Sequence, residues 1–566
     1  MLEPSDIRDI LEQHDLYWDH RRDRLREMRR LYMTDFWGGR EMPLMDGILR
    51  TEVPKAYAVV ESYLGSLYAK NPAVRVEPDV RDRGNPEVAQ ATANQYLLTI
   101  REQVEDATRL ALIYPCSFIL MATVENVDPL KRVSCAALPP WEVIVDATSA
   151  SWDAQRFVGR THLMPIAEAS VRYGKPAEDF RSRAYSKWIE STGIAGKSTM
   201  MGLDSNTGGV PDSDKWVRVV EMFDLLHDKL LVWSPDYSEG NDFLFTGVKV
   251  QVGALDSAAG SDMETPDAEI EHETTGIPFK SASGQPVIPI IPLYFSRDPD
   301  TPLRGYSLVG RSLDQFREMN VMRTYQAQGV RRMARQWMVR AGFLSEDGAA
   351  KIAQGMDGEF IEISLQPGLP IEGNIIPVPQ APIPADIGMY AQTVANDIND
   401  AGLLAPFTRG EVTKSTATEQ NYLAAYTSSE IGRMARIRDS VITNIANTFN
   451  VMLSVVLGND AEPLALPNPV GPTILSADDL TGDFGYWAVD AGTTPMSDLA
   501  KQQSLERLAP VLVSLGADPA VILEEMVRVF QLPENLATPA PPPPMPEQQA
   551  VPPDGAPAPY NPEGVQ

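Results

Sequence analysis

The sequence has 566 residues, of which 43% are hydrophobic and 22% are charged. This composition is typical of a folded protein of several domains, or of one elaborated domain, and excludes a wholly disordered chain. The formal net charge of -28 at pH 7 excludes a protein that coats nucleic acid through general phosphate neutralisation.

Two cysteines, Cys116 and Cys135, are too few for a disulfide framework, and no histidines cluster around them for a structural zinc site. We therefore expect a reducing compartment. The first residues lack the basic and apolar regions of a secretory signal. The longest apolar run, 110–124, contains Pro115 and is shorter than the roughly 20 residues of a spanning helix, so we predict no membrane segment.

The N-terminal part of the chain has helical periodicity. Apolar residues recur at three- and four-residue steps over 5–35, 54–70 and 86–114, which predicts three helices. The predicted 5–35 helix also contains six arginines outside its apolar face. They form a solvated face or contact a partner or phosphates. They are Arg21, Arg22, Arg24, Arg26, Arg29 and Arg30.

The period then changes to that of strands. Short β-rich runs separated by turn residues predict a small, mostly antiparallel sheet. The runs are 118–124, 132–138, 142–145 and 157–164, extended by 216–226, 229–233 and 243–252. Residues 255–275 contain seven carboxylates and no base, which predicts a surface loop. Residues 287–295 predict a further strand broken by prolines.

A helix predicted over 306–337 reverses the sign of the charge. Residues 304–340 carry eight arginines against Asp314 and Glu318. These arginines either pair with acidic neighbours of the same or another subunit or contact phosphates directly. The candidate subunit-contact or channel residues are Arg311, Arg317, Arg323, Arg331, Arg332 and Arg335.

Prolines between 370 and 384 predict an extended crossing before a helix over 386–400. Thr416 and Glu419 have the spacing of a capping box that opens a helix of about forty residues. A strand at 486–489 and helices at 497–515 and 519–530 complete the predicted folded part. The last thirty residues, 537–566, contain 11 prolines and no base, which predicts a tail without a core.

No residue pattern in the chain predicts catalysis. The five histidines lack metal-ligand spacing, no carboxylate lies in a segment that reads as buried, and no serine has a nucleophile-elbow setting. Gly305 to Ser312 has the spacing of a phosphate-binding loop, but Arg311 stands where lysine belongs. We therefore expect no enzyme, no catalytic residue, no cofactor and no metal, and keep a nucleotide-dependent enzyme built on this loop as an alternative.

In sequence order, several segments resemble the portal, or head-to-tail connector, proteins of tailed bacteriophages. An apolar helix runs into a strand at 110–120, and a proline leads an apolar run to an aspartate at 138–146, followed by the matching 153–160. Gly305-Tyr306-Ser307 leads into a long helix that contains Asn320. The proline-rich crossing, the 386–400 helix and the helix after 415–419 are similar to the clip, the returning stem helix and the segment after the tunnel loop.

The resemblance implies an α+β fold: a mostly helical subunit with wing, stem, clip and crown regions and a small antiparallel sheet, in a ring around a central channel. It divides the chain as follows: a helical wing region at 1–115, a β-rich wing region at 116–300 containing the acidic loop 255–275, a stem helix at 301–345, a clip-like extended region at 346–384, a returning stem helix and tunnel loop at 385–414, a long wing helix and strand at 415–495, crown-like helices at 496–535 and a disordered tail at 536–566.

What the resemblance implies for function is a ring, usually of twelve subunits, at one vertex of the capsid. Double-stranded DNA would pass through its channel during genome packaging and ejection, without sequence specificity. The implied partners are other copies of the chain, the major capsid protein, the terminase and head-completion or tail proteins, with no membrane. The chain would be found in the virion and, during assembly, in the host cytoplasm. A second alternative is another structural protein of the phage head.

Overall fold

The computed structural model describes most of the first of the two units into which the chain divides, Met1–Thr493 and Thr494–Gln566. The described residues are 2–37, 44–45, 48–68, 71–79, 81, 83–124, 128–149, 151–181, 216–246, 277, 279–297, 305–333, 337–339, 375–377, 385–401, 417–458, 464–466 and 473–488. The predicted acidic loop, the helices at 497–515 and 519–530, the proline-rich tail and Thr416 of the capping box lie outside them.

The helices of the described residues cover most of the periodic segments. They are α1 (Pro4–Asp19), α2 (Arg22–Tyr32), α3 (Lys55–Leu67), α4 (Pro86–Thr99), α5 (Arg101–Ile113), α6 (Ile166–Tyr173), α7 (Leu308–Arg311), α8 (Leu313–Met333), α9 (Ala385–Ala401) and α10 (Ala417–Leu457). The predicted helices at 386–400 and after Thr416 agree with α9 and α10.

The strands form small antiparallel sheets. They are β1 (Leu44–Met45), β2 (Ile48–Leu49), β3 (Val74–Glu77), β4 (Ser117–Thr123), β5 (Val133–Leu138), β6 (Val143–Val145), β7 (Phe157–Pro165), β8 (Trp216–Asp224), β9 (Lys229–Trp233), β10 (Phe243–Thr246), β11 (Ile290–Leu293), β12 (Trp337–Val339), β13 (Ile375–Pro377), β14 (Leu464–Leu466), β15 (Thr473–Leu475) and β16 (Gly485–Ala488). The pairings are β1–β2, β3–β16, β12–β13 and β14–β15, with larger sheets ordered β11–β4–β5 and β10–β9–β8–β7–β6. The fold is therefore α+β, as predicted.

Three predicted helices are interrupted. The 5–35 helix breaks after Asp19, the 86–114 helix at Ile100 and the 306–337 helix at Ser312. The first break follows from packing, because α1 covers the five-stranded sheet whereas α2 lies in the main core. One straight helix could not contact both.

The single predicted sheet is in fact two. β4 and β5 pair with β11 from much later in the chain, whereas β6 to β10 form the five-stranded sheet. Pro139 and Pro140 separate β5 from β6, and their fixed φ and missing N–H groups end the ladder there. Pro292 lies in β11, an edge strand, where a missing N–H donor is tolerated.

Helix α10 runs through the main hydrophobic core. Its Phe449 is fully buried and stacks on Tyr96 of α4, with ring centroids 3.7 Å apart. The buried Asn450 amide donates to Ala89 O at 3.2 Å and to the Tyr486 hydroxyl at 2.7 Å, which ties α10 to α4 and β16. The part Ile431–Leu457 is long and apolar enough to cross a membrane, with a mean hydropathy of 1.5, but 67% of it is buried. Within the described residues it is a core helix.

The two faces of the five-stranded sheet bury different elements. On one face, Ile7 and Leu11 of α1 pack against Met222 and Trp233. Arg218 of β8, whose side chain is 5% exposed, anchors α1 there by donating to both carboxylate oxygens of Asp15 at 2.5 and 2.7 Å. The other face packs against α6 and the three-stranded sheet.

Candidate functional site

Helices α8 and α9 form an antiparallel pair. The Tyr390 hydroxyl donates to the Glu318 carboxylate, and the Gln326 side-chain amide donates to Ile387 O at 3.4 Å. The earlier residue of α8 contacts the later residue of α9, and the later residue of α8 contacts the earlier residue of α9. The two helices therefore run in opposite directions. Val394 and Ile398 of α9 are buried in the same cluster as Phe316 of α8.

A two-stranded ribbon joins the same two helices. β12 follows α8 and pairs with β13, which precedes α9, with Trp337 opposite Pro377 and Val339 opposite Ile375. The prediction that the helix extends to Trp337 is therefore wrong, because Trp337 starts a strand. Trp337 is aromatic and Val339, Ile375 and Ile376 are β-branched, and such residues favour strands. The chain thus leaves α8, forms an extended ribbon and returns along α9.

Helix α8 also binds an N-terminal segment, residues 51–53, through side-chain hydrogen bonds to its backbone. The Asn320 side-chain oxygen accepts from Val53 N at 2.8 Å. The Thr324 hydroxyl accepts from Thr51 N at 3.0 Å and donates to Thr51 O at 3.1 Å. Both side chains are buried, so these bonds satisfy backbone groups that would otherwise lack partners.

The candidate residue Arg317 forms three hydrogen bonds with carboxylate oxygens. Its guanidinium donates to both carboxylate oxygens of Glu27 on α2, each at 2.8 Å, and to Asp314 at 3.1 Å. The hydrogen bond and charge of Glu27 raise the pKa of Arg317. This arginine therefore pairs within its own chain. One signal for this pair is present in the sequence, since Glu27 is one of two carboxylates among the arginines of α2.

Two further candidates, Arg311 and Arg323, have described side chains, and each has fewer contacts than Arg317. Arg311 donates to the Ser296 hydroxyl, and the exposed Arg323 donates to Gln326 at 3.2 Å, one turn further along α8. Arg331 and Arg332 fall in the last turn of α8, and Arg335 lies outside the described residues. The structure thus brings Arg317 and Arg323 onto one helix, but their role at a subunit contact or channel stays a prediction.

The glycine-rich segment 305–312 is packed against other parts of the chain. A Cβ on Gly305 would lie 2.3 Å from Ser296 O and 2.4 Å from Pro115 O, and one on Gly310 would lie 2.7 Å from Met28. The glycines therefore permit close approach of backbones.

Several backbone amides of this segment have acceptors within the chain. Tyr306 N donates to Ser296 O at 3.0 Å, Gly310 N to the Ser307 hydroxyl at 2.7 Å, and Arg311 N to Ser307 O at 3.2 Å. A phosphate-binding loop needs such amides to point at its ligand. The amides of Tyr306, Gly310 and Arg311 are therefore bonded within the chain, and the nucleotide-dependent alternative stays a prediction.

A cavity of about 610 Å³ opens between α1 and the end of the five-stranded sheet. Its buried carboxylates have partners: Asp146 accepts from Arg156 at 2.5 Å, and Asp224 pairs with His227 at 2.8 Å. Burial alone would raise the pKa of Asp146, but hydrogen bonds from Arg156 and Thr148 hold this pKa at about 2. These carboxylates therefore stabilise turns of the wall.

The prediction that no carboxylate is buried is wrong. Among the described residues five are, and the sequence did not reveal them because each lies at the end of a strand or in a turn, where polar side chains are usually exposed. They are Asp79, Glu142, Asp146, Asp224 and Asp236.

Comparison with known proteins adds no assignment: neither a protein-family model nor a curated protein sequence matches this chain.

Proposed function

We propose that the chain is a subunit of a phage portal ring, which conducts double-stranded DNA at the capsid vertex and docks the capsid protein, terminase and tail proteins. The observation that carries the proposal is the path of α8, β12, β13 and α9. A helix leads into a ribbon and a second helix returns alongside the first, as a stem and clip require. The order of sequence segments supports the same reading.

The electrostatics of the helix pair are consistent with a conduit. The contact of Arg317 with Glu27 neutralises part of the positive charge of α8 within the chain. A channel that passes DNA must not hold phosphates tightly, because each contact adds to affinity and the contacts multiply around a ring. The net charge of -28 keeps the average affinity for DNA low.

The exposed side chains of the pair support self-association. Tyr325 on α8 and Met389 on α9 are 61% and 70% exposed, respectively. Large apolar side chains that remain exposed on a packed helix pair are typical of surfaces that contact another protein. In the proposed ring, a neighbouring copy of the chain covers them.

The test is the state of the purified full-length chain, measured by size-exclusion chromatography with light scattering and by electron microscopy. We expect rings with a central opening and a mass of about twelve times the 62.2 kDa of one chain. A monomer at every concentration and ionic strength would overturn the proposal. Closed shells would favour another head structural protein instead.

A further inference from the structure

The cavity between α1 and the end of the five-stranded sheet has the dimensions of a small-molecule site. Its volume is about 610 Å³, and sites for small ligands in proteins range from about 300 to 1,000 Å³. One wall comes from α1, and the other comes from β6, the start of β7 and the turns after β6 and β8. Because Ile7 and Leu11 of α1 are buried against the sheet, the two walls are held together within one chain and the cavity is preformed.

Apolar side chains form most of the wall. Ile10 and Tyr17 come from α1, whereas Ile144 and Phe157 come from β6 and β7. Leu226, in the turn after β8, also lines the cavity and is 68% exposed. A ligand with an apolar body removes this surface from water when it fills the cavity, and this burial favours binding. The wall therefore suits a ligand that is apolar over most of its surface.

The polar groups of the wall have an excess of negative charge. The aspartates are Asp6, Asp9, Asp146 and Asp224, and the bases are Arg156, His14 and His227. The carboxylates outnumber the bases even when both histidines are protonated. The dipole of α1 adds only about half a positive charge at its N-terminus. Apolar walls strengthen the field of such an excess inside a cleft, which favours a cationic ligand over an anionic one.

Two of the four carboxylates already have partners in the fold. Asp146 accepts from Arg156 at 2.5 Å, and Asp224 accepts from His227 Nδ1 at 2.8 Å and from Leu2 N at 3.2 Å. The other two belong to α1 and are exposed, so they lie where the cavity meets solvent. They are three residues apart and therefore neighbours on the helix surface. They are Asp6 and Asp9.

Asp9 has the carboxylate that is most open to a ligand. Asp6 accepts from Glu3 N at 2.8 Å through one oxygen, whereas the Asp9 side chain has no hydrogen bond or ion pair within the described part of the chain. The charge is also spread along the wall. Among the described residues, no three carboxylate, histidine or cysteine side chains are placed to hold a metal ion. This arrangement suits an extended organic cation better than a metal ion.

We propose that the cavity binds an organic cation of small-molecule size, in which an ammonium, amidinium or guanidinium group is attached to an apolar body. The cationic group lies against Asp9 and Asp6, and the apolar body lies against the aliphatic and aromatic part of the wall. The site is independent of the proposed portal function, since it uses only α1 and the five-stranded sheet of one chain.

The test is a ligand-observed NMR titration of the full-length protein at pH 7.5 with three probes of similar shape. Benzamidine is a cation, benzamide is neutral and sodium benzoate is an anion. We expect saturable binding of benzamidine. The dissociation constant of benzamide should be higher by about tenfold or more, because it lacks the charge that the wall attracts, and benzoate should not reach saturation.

Two variants locate the site. In Asp9→Asn we expect the dissociation constant of benzamidine to rise by about threefold, because an exposed carboxylate is lost. In Leu226→Lys we expect a rise of about tenfold or more, because a like charge is placed on the wall. The matched controls, Glu12→Gln and Leu16→Lys, change exposed side chains of α1 that do not line the cavity, and should leave the dissociation constant unchanged.

Circular dichroism shows whether each variant folds, and if Leu226→Lys does not, Asp9→Asn decides. Weaker binding in the cavity variants but not in their controls supports the proposal. The proposal is wrong if benzamidine binding does not saturate, or if benzamide or benzoate binds as tightly as benzamidine. It is also wrong if the folded cavity variants bind benzamidine as tightly as the wild type.

Discussion

From Ile431 to Leu457, helix α10 is buried over most of its surface, whereas the α8–α9 pair leaves Tyr325, Met389 and Tyr390 exposed by 61%, 70% and 45%, respectively. The first helix finds its packing partners among α3, α4, β3 and β16 of the same chain. The second pair contributes only one face to the core. The difference separates a part of the molecule that is complete in one chain from a part with surface left for a neighbour.

The largest effect should come from the buried helix. In Phe449→Ala we expect the free energy of unfolding to fall by about 3–5 kcal/mol, because a fully buried ring stacked on Tyr96 is lost and a cavity remains. Urea unfolding followed by near-ultraviolet circular dichroism measures it. Met389→Ala on α9 is the control and should change stability by less than about 0.5 kcal/mol. Equal losses of unfolding free energy in the two variants would contradict the contrast between the buried helix α10 and the exposed surface of α9.

Ring assembly should depend on the exposed surface of the α8–α9 pair. In the double variant Tyr325→Glu and Met389→Glu we expect the concentration needed for ring formation to rise by about tenfold or more, because two carboxylates would be desolvated at the subunit contact. Light scattering across a dilution series measures it. The unfolding midpoint should stay near that of the wild type, and unchanged assembly would show that this surface is not the contact.

Two ion pairs, one buried and one partly exposed, should contribute smaller amounts to the free energy of unfolding. Asp15→Asn removes the charged partner of the buried Arg218, and we expect a loss of about 1–3 kcal/mol in unfolding free energy. Arg317→Gln breaks a pair on α8 that is 49% and 22% exposed and is weakened by solvent, and should cost less than about 1 kcal/mol. Urea midpoints measure both. A larger loss for Arg317→Gln would mean that the α8–α2 contact contributes more to the fold than its exposure indicates.

The smallest expected effect is a pH dependence in which two groups oppose each other. Burial lowers the pKa of His162 from 6.5 to about 4, so its contribution to stability is present above pH 6.5 and is lost as the pH falls towards 4. Burial raises the pKa of Glu142 from 4.5 to about 7, so its contribution is present below pH 4.5 and is lost as the pH rises towards 7. Arg160, Arg172 and Glu221 face His162, and the pKa of Glu221 is itself lowered from its usual value although burial opposes this.

Single variants separate the two slopes. In His162→Gln we expect stability to fall as the pH rises from 4.5 to 7, and in Glu142→Gln we expect it to rise between pH 4 and 6.5. Urea midpoints at half-unit pH steps measure both. Curves parallel to the wild type in both variants would show that neither group titrates in a buried environment.

Much of the fold could be predicted from the sequence because its signals are local. The 41-residue length of α10 and the strand at 229–233 follow from periodicity alone. What could not be predicted depends on distant partners. Ile100 interrupts a helix without glycine or proline because both halves have to reach the core, and β4 pairs with β11 across about 170 residues of chain.

The candidate sites divide in the same way. The arginines of α8 could be found from the reversal of charge, but the pairing of Arg317 with Glu27 joins residues 290 positions apart. The grouping of His162 with Glu221 was missed for a related reason. His162 and Glu221 have no motif spacing, and only the register of β7 and β8 brings them onto one face.

The bonds from Asn320 and Thr324 to Thr51 and Val53 have a mechanical consequence. A helix advances about 100° per residue, so Asn320 and Thr324, four residues apart, lie on nearly the same face, and both meet the segment only at one rotation of α8 about its axis. Rotation of α8 about its axis would move both side chains away from residues 51–53 at the same time. That segment leads directly into α3, and rotation of α8 must therefore either unfasten it or drag α3 along.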